Sequence, residues 1–486
     1  MIRIINFSIE SLNNFFDYKD CAIERASSDL LILYGDNGSG KTTILNLIFN
    51  LLSPKPNRGH LNAIARIPFK ALRVSLSDGT VVSAEREKDV NGHPVIFRVA
   101  RPNCSPVEYK FIPEKHRDRY LQEFFEQELR REQELRREQL KRKRRTVQTE
   151  FFSTRVSSSL VFGGDDGAHK KYISALSDIG VNFYYMAADR KIRSDSLDVE
   201  PAGVRNSVGQ REVEGDVIFA ARTQYLKEAL TGASRYINRQ IIRASNSGSK
   251  NTNDIYIDLI RRISQDETSS SGLDLSVQMQ TATEKLNILS EQNRRFSNLG
   301  ILPALDFEQI NSVMALSSGS SNNVLKKILW PYIESLNARL LALNPIGGAV
   351  ETFLKILNRL FKYKSIKFSP GDGFTIYGLN LDQPLDVESL SSGEQQLLLI
   401  FCYLLVASEQ QSIFMVDEPE ISLNVKWQRD LIDAMRQIVD NSKTQIIIAT
   451  HSIELLSQYS DLVIALDPAI NGSNGDLVYE NSQEDN

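Results

Sequence analysis

A chain of 486 residues with 41% hydrophobic and 24% charged residues and a formal net charge of −4 is too long for one small core and suggests two or three folded units. Its composition excludes wholesale disorder and a fibrous repeat, and its charge excludes a uniformly basic surface built for nucleic acid. Cys21, Cys104 and Cys402 stand apart from one another and from any His-Cys cluster. No zinc site or disulfide framework is therefore expected, and a reducing cytoplasm is the compartment that fits.

From Met1 to Arg101 short apolar runs alternate with turn signals. Met1–Phe7 has no small-residue cleavage site and reads as the start of a strand. Strands are expected at Ile2–Ile9, Leu30–Tyr34, Ala71–Leu76 and, after the turn Ser77-Asp78-Gly79, at Val81–Glu85. Leu30–Tyr34 runs into a glycine-rich turn, and Lys41–Leu52 reads as a helix.

Residues 102–364 read as a largely helical insertion. Glu114–Arg145 is charge-dense, with the direct repeat Glu128–Gln133 and Glu134–Gln139. Leu129, Leu135 and Leu140 are spaced six and five apart, which spreads them around a helix and argues against a long heptad seam. The run Lys141–Arg145 has two readings, a cluster that tracks phosphates or a solvated helix end that complements the dipole. After Gly163–Gly167 a strand is expected at Val181–Met186, followed by helix to Lys364 with Ser-, Gly- and Asn-rich breaks at Asn246–Asn253, Thr268–Gly272 and Ser317–Asn323.

Residues 365–486 return to alternating strand and helix. A hairpin is expected around Gly371–Gly373, a helix from Gly393, and strands at Ile413–Val416, Gln445–Ala449 and Leu462–Leu466. Leu397–Val406, the longest apolar run identified, is half of the roughly 20 residues that cross a bilayer. It reads as a buried helix, and no membrane partner is expected. The order predicts an α/β fold whose mixed sheet is built from both chain ends around a helical insertion, with lobes at 1–101 and 365–486.

Gly35-Asp36-Asn37-Gly38-Ser39-Gly40-Lys41-Thr42 fits the phosphate-loop pattern, and it lies between an apolar strand and a helix as the mechanism requires. The glycines let successive N–H groups turn toward phosphate oxygens. Lys41 is then expected at the β- and γ-phosphates, Thr42 at Mg²⁺, and Thr43 in the first helical turn, where the dipole favours the anion. Ile413–Val416 followed by Asp417-Glu418 places one acid beside the metal held by Thr42 and a second where it can deprotonate the attacking water of ATP hydrolysis. Thr450-His451-Ser452 ends a further apolar strand. At that crevice His451 is a candidate for the γ-phosphate or the water, and equally a residue that precedes a helix capped by Ser452.

Leu390-Ser391-Ser392-Gly393-Glu394 precedes a helix, and alone it reads as an ordinary N-cap. In order with Asp417-Glu418-Pro419-Glu420 and Ala449-Thr450-His451-Ser452 it resembles the signature, Walker B and switch-histidine motifs of ABC-type ATPases, and among these the SMC-like and OLD-like heads. The resemblance covers residues 1–100 and 365–467. It implies that Ser391, Ser392, Gly393 and Glu394 complete an ATP site on a second copy, so that the enzyme is an ATP hydrolase working as a homodimer, with higher homo-oligomers open. Two departures stand out. Asn424 occupies a place where such ATPases more often carry Asp or His, and no Q-loop glutamine is evident. Asp189-Arg190 stands at the nearest position, either as a substitute sensor or as a surface ion pair.

The layout is similar to the ATPases of bacterial anti-phage defence systems of the PARIS type, with the Septu type as the rival likeness. That resemblance implies a separate toxin or nuclease effector protein and a phage-encoded trigger. A DNA-repair or nucleic-acid-binding ATPase of the SMC-like class is the alternative.

Overall fold

The computed structural model describes residues 1–22, 29–56, 58–86, 94–113, 166–190, 192–194, 223–246, 272–309, 312, 323–440, 442–456, 459–466 and 469–470. The charged helix expected over Glu114–Arg145, its Lys141–Arg145 cluster and most of the Ser/Gly/Asn-rich breaks lie outside the described residues. In chain order the first elements are β1 (Ile4–Leu12), β2 (Phe16–Ala22), β3 (Leu30–Tyr34), α1 (Lys41–Leu52), α2 (His60–Arg66), β4 (Ala71–Leu76) and β5 (Val81–Arg86). There follow β6 (Val95–Ala100), β7 (Val107–Phe111), α3 (Asp166–Ser177), β8 (Asn182–Met186) and β9 (Ile192–Ser194). Next come α4 (residues 223–246), α5 (Gly272–Asn298), α6 (Asn323–Leu360), β10 (Lys364–Ser369), β11 (Gly373–Gly378) and β12 (Pro384–Leu385). The last are α7 (Ser392–Ala407), β13 (Ser412–Asp417), α8 (Val425–Val439), β14 (Thr444–Thr450), α9 (Ile453–Leu456), β15 (Val463–Ala465) and β16 (Ala469–Ile470).

The chain divides into two compact units. The first comprises Met1–Val204, Gln410–Pro419 and Ser442–Asn486, and the second Arg205–Glu409 and Glu420–Asn441. In the first unit, one sheet has the order β16-β2-β1-β4-β5-β6-β7 and every pair in it is antiparallel. A second sheet has the order β15-β3-β14-β13-β8-β9. Its first five strands are parallel, and only β9 pairs antiparallel. Of the parallel strands, β3, β8, β13 and β14 are buried on both faces, which is why they read as continuous apolar runs rather than alternating ones. Strand β8 comes from the middle of the chain and lies between β13 and β9, in a sheet whose β3 comes from the N-terminal part and whose β13, β14 and β15 come from the C-terminal part.

Helix α1 sits in the core that both sheets share. Ile44, Leu45, Leu47, Ile48, Phe49, Leu51 and Leu52 pack with Ile4, Leu72 and Val82 of one sheet and with Leu31, Tyr185, Met415 and Ile447 of the other. A helix apolar nearly all round is stable only where it is enclosed. One polar side chain ties the layers: Gln445 of β14, 1% exposed, accepts from Ile4 N at 2.8 Å and donates to Ile4 O at 3.0 Å. These bonds satisfy both backbone groups of a residue at the start of β1.

The second unit is helical with a small antiparallel sheet, β10-β11-β12. Lys285 pairs with Glu334 at 3.0 Å, and farther along both helices Arg295 pairs with Glu351, so α5 and α6 run side by side in the same direction. Where they cross, a Cβ at Gly347 would stand 2.3 Å from the ring of Phe296, so only glycine allows that approach. Helix α6 also corrects the expectation about apolar length. Tyr332–Leu360, 29 residues, is long and apolar enough to cross a membrane by length and composition. Leu336, Leu340, Leu343, Ile346, Val350, Phe353 and Leu357 of this stretch are buried, and their three- and four-residue spacing is that of a helix face packed in a core. Leu397–Val406 is buried within α7 as expected.

Candidate nucleotide site

Strand β3 delivers the chain into the loop Gly35–Gly40. Gly38 and Gly40 adopt φ of +90° and +78°, a region that L side chains rarely enter, so two of the glycines are required by the path itself. Gly40 is the N-cap of α1 and no side chain caps the helix, which leaves the first N–H groups, those of Lys41, Thr42 and Thr43, available to an anion. Lys41, 5% exposed, donates from Nζ to Gly35 O at 2.7 Å and to Asp36 O at 3.0 Å. Its ammonium therefore sits within the curve of the loop rather than in solvent. Ser39 Oγ is buried and has no hydrogen-bond partner; a hydroxyl so placed fits a phosphate oxygen. A Cβ on Gly35 would meet that Oγ at 2.5 Å.

The loop is braced from beneath by a residue that the sequence reading missed. Tyr18 of β2, 2% exposed, donates its hydroxyl to Ser39 O and lies 3.5 Å from where a Cβ on Gly40 would stand. Burial, with Cys21 nearby, pushes the phenol up to about 12, so it remains a protonated donor at neutral pH. The alternation of Phe16 and Tyr18 with Asp17 and Lys19 was the available signal for this strand.

Strand register brings the other motifs to the same edge. Tyr34 pairs with Thr450, Leu33 with Ala449, and Ala449 in turn with Asp417. The loop after β3, the end of β14 and the end of β13 therefore lie level on neighbouring parallel strands, each step about 4.8 Å. Asp417 is 1% exposed. Glu418 follows with φ +47°, and its N–H donates to Ala449 O at 2.8 Å. A left-handed glutamate at a strand end is held there by its surroundings at some cost. His451 Nδ1 is 3.5 Å from Glu418 Oε1. His451 precedes α9 and is not part of it.

Ser391–Glu394 lies in the second unit. Ser391 is the N-cap of α7 and forms a full capping box with Glu394. Ser391 and Ser392 are exposed, and Gly393 is buried. A Cβ on Gly393 would meet Ser422 O at 2.7 Å and the Trp427 ring at 2.9 Å, so the glycine is set by close packing against α8 and the loop before it. In that loop Asn424 is the N-cap of α8, its side chain accepting from Trp427 N at 3.0 Å. Asn and Asp cap helices equally well, which gives the departure at this position a local reason. Of the pair proposed in place of a Q-loop, Asp189 is exposed, while Arg190 is buried with φ +68°.

Among the described residues no group of three or more His, Cys, Asp or Glu side chains could hold a metal ion. The oxygen donors Thr42 and Asp417 fit Mg²⁺, which is commonly held by one carboxylate, a hydroxyl, water and the substrate's own phosphates.

A family model described as an AAA ATPase domain matches residues 8–456. Over 80 residues, 16% of this chain and 31% of the relative, the sequence is 36% identical to the hemin import ATP-binding protein HmuV of Vibrio cholerae. Over 83 residues, 17% of this chain and 20% of the relative, it is 34% identical to the cobalamin import ATP-binding protein BtuD of Halobacterium salinarum. The chain thus spans less than a third of the length of these curated relatives. Among solved structures it is similar to the Smc head domain with an extended coiled coil, bound to the C-terminal domain of ScpA, from Pyrococcus furiosus. The identity is 12% and the TM-score 0.37, with 94% of this chain and 92% of that chain covered.

Proposed function

The chain belongs to the AAA ATPase domain family, and on that footing we propose that it clamps ATP and Mg²⁺ between two copies of itself and hydrolyses the γ-phosphate. Gly35, Asn37, Gly38, Ser39, Gly40, Lys41, Thr42 and Thr43 cradle the phosphates of one copy. Thr42 and Asp417 hold the magnesium ion, Glu418 takes the proton of the attacking water, and His451 orients that water or the γ-phosphate. Ser391, Ser392, Gly393 and Glu394 of the other copy close the site, the α7 N-terminus directing its dipole at the anion. The observation that carries this reading is the register of β13, β14 and β3, which sets the acid pair and the histidine level with the phosphate loop.

The ATPase serves, in this reading, as the cytoplasmic sensor or regulatory subunit of an anti-phage defence system. A separate toxin or nuclease is its effector and a phage-encoded factor its trigger. That part rests on the resemblance in motif order and layout. The SMC-like alternative, a DNA-repair or nucleic-acid-binding ATPase, is separated from it by affinity for duplex DNA at two salt concentrations, since phosphate contacts impose a steep salt dependence.

The composite site is tested by mixing two inactive variants. Lys41→Ala removes the loop's cation, and Ser391→Arg blocks the signature. A co-expressed heterodimer with distinct tags contains one doubly damaged site and one intact site. Partial recovery of ATPase activity is expected. An inactive heterodimer, together with a Glu418→Gln protein that does not dimerise on ATP, would place the whole site within one subunit.

A further inference from the structure

The carboxylate of Glu394 has more donors than a capping box supplies. Its Oε2 accepts from Ser391 N at 2.7 Å, from Ser391 Oγ at 2.9 Å and from Lys364 Nζ at 2.8 Å. Lys364 opens β10, 30 residues before Glu394 in sequence, and both side chains are largely buried, at 19% and 10% exposure. The single proton of the Ser391 hydroxyl is thus engaged with Glu394. A serine in that state has no proton to give to a phosphate, and a bare carboxylate beside it would repel a polyanion. Burial alone would raise the Glu394 carboxyl, but the Lys364 ammonium and the Ser391 donors outweigh it and hold it below the usual range. Glu394 does not escape its charge by taking up a proton near neutral pH, so the counter-charge has to come from a neighbour.

Resting on the composite site proposed above, we propose that Lys364 is a positioning residue of that site: it neutralises Glu394 and holds its Oε2, so that the Ser391 hydroxyl can turn from Glu394 to the phosphate of the partner copy's ATP. When the hydroxyl leaves, Oε2 keeps two donors, the Ser391 N–H and the ammonium. The capping box survives the exchange and the α7 N-terminus stays formed. Without Lys364 the same exchange leaves a buried carboxylate with one donor facing a triphosphate, a costly arrangement. Lys364 acts through Glu394, to whose Oε2 its ammonium donates at 2.8 Å.

The test uses full-length chain carrying Glu418→Gln, in which ATP-driven dimerisation is followed by light scattering, while ATP binding to the dilute monomer is followed separately. Adding Lys364→Met is expected to weaken dimerisation by at least about tenfold and to leave monomer affinity for ATP unchanged. Lys364→Arg should restore dimerisation. So should Lys364→Met combined with Glu394→Gln, because the amide keeps the capping box and removes the unbalanced charge. A merely structural part for Lys364 in β10 would not be rescued by a change at Glu394. Dimerisation of Lys364→Met at the parent level, or a double variant as weak as the single one, overturns the proposal while leaving the composite site standing. If the Glu418→Gln parent does not dimerise on ATP, the composite site falls and the role of Lys364 falls with it. Should Lys364→Met not purify as a folded protein, Lys364→Gln carries the same comparison.

Discussion

His451 Nδ1 stands 3.5 Å from Glu418 Oε1, although the two residues are 33 positions apart in the chain. They meet because β13 and β14 are parallel neighbours in register, with Asp417 opposite Ala449. Glu418 → Gln is predicted to leave ATP binding intact and to slow hydrolysis at least about a hundredfold, the effect expected when a general base is lost. His451→Gln should give a smaller loss of the same kind. Phosphate release and equilibrium nucleotide binding measure the two effects separately; undiminished turnover of Glu418→Gln would mean that another group activates the water.

Tyr18→Phe is predicted to weaken ATP binding several-fold, about 1 kcal/mol, through loss of the hydroxyl that braces Ser39 O. The folded phenol is raised to about 12, so an unfolded chain releases this proton first. Its contribution to stability is present below pH 10 and declines as pH rises from 10 through 12. Titration calorimetry with ATP at pH 7 and pH 8.5 should give the same deficit at both values. A deficit present at only one of them would contradict the brace.

Acid should loosen the first unit through His60. Its Nδ1 lies 2.8 Å from Asn50 Oδ1 and its Nε2 3.0 Å from Ser53 Oγ. Burial first, and then Arg58 and Arg193, push it down to about 4. The unfolded imidazole, near pH 6.5, binds its proton earlier than the folded one. This site therefore gives its full stability above pH 6.5 and loses it as pH falls toward 4. About 1–2 kcal/mol should disappear between pH 7 and pH 5. Denaturant midpoints at the two pH values check this, and His60→Gln should remove that part of the pH slope.

Gln445→Leu is predicted to destabilise the first unit by about 1–3 kcal/mol, since it strands the Ile4 N–H and C=O in a buried position. Hydrogen exchange should show the loss first at β1 and β4. A variant as stable as the parent would mean that water replaces the amide there.

The sequence by itself determined the local parts. Lys41–Leu52 reads as a helix between Gly40 and Ser53 and forms one, and the apolar runs at 30–34, 413–416 and 445–449 are strands, because continuous burial on both faces leaves an unmistakable pattern. The phosphate loop and the LSSGE cap were legible for the same reason: glycine at positive φ and serine before a helix are chemical requirements of the backbone itself. Strands β2, β6 and β7 escaped notice, since charged residues interrupt their apolar runs: Asp17, Lys19 and Asp20 in β2, Arg98 in β6, and Glu108 and Lys110 in β7. Tertiary structure alone decided which distant residues meet. Strand order placed His451 beside Glu418 and put Tyr18 under Ser39, and the start of β10 carried Lys364 to Glu394. Each of these contacts joins residues whose own neighbours in sequence say nothing of the partner, because pairing between strands is set by the packing of whole layers and not by local spacing.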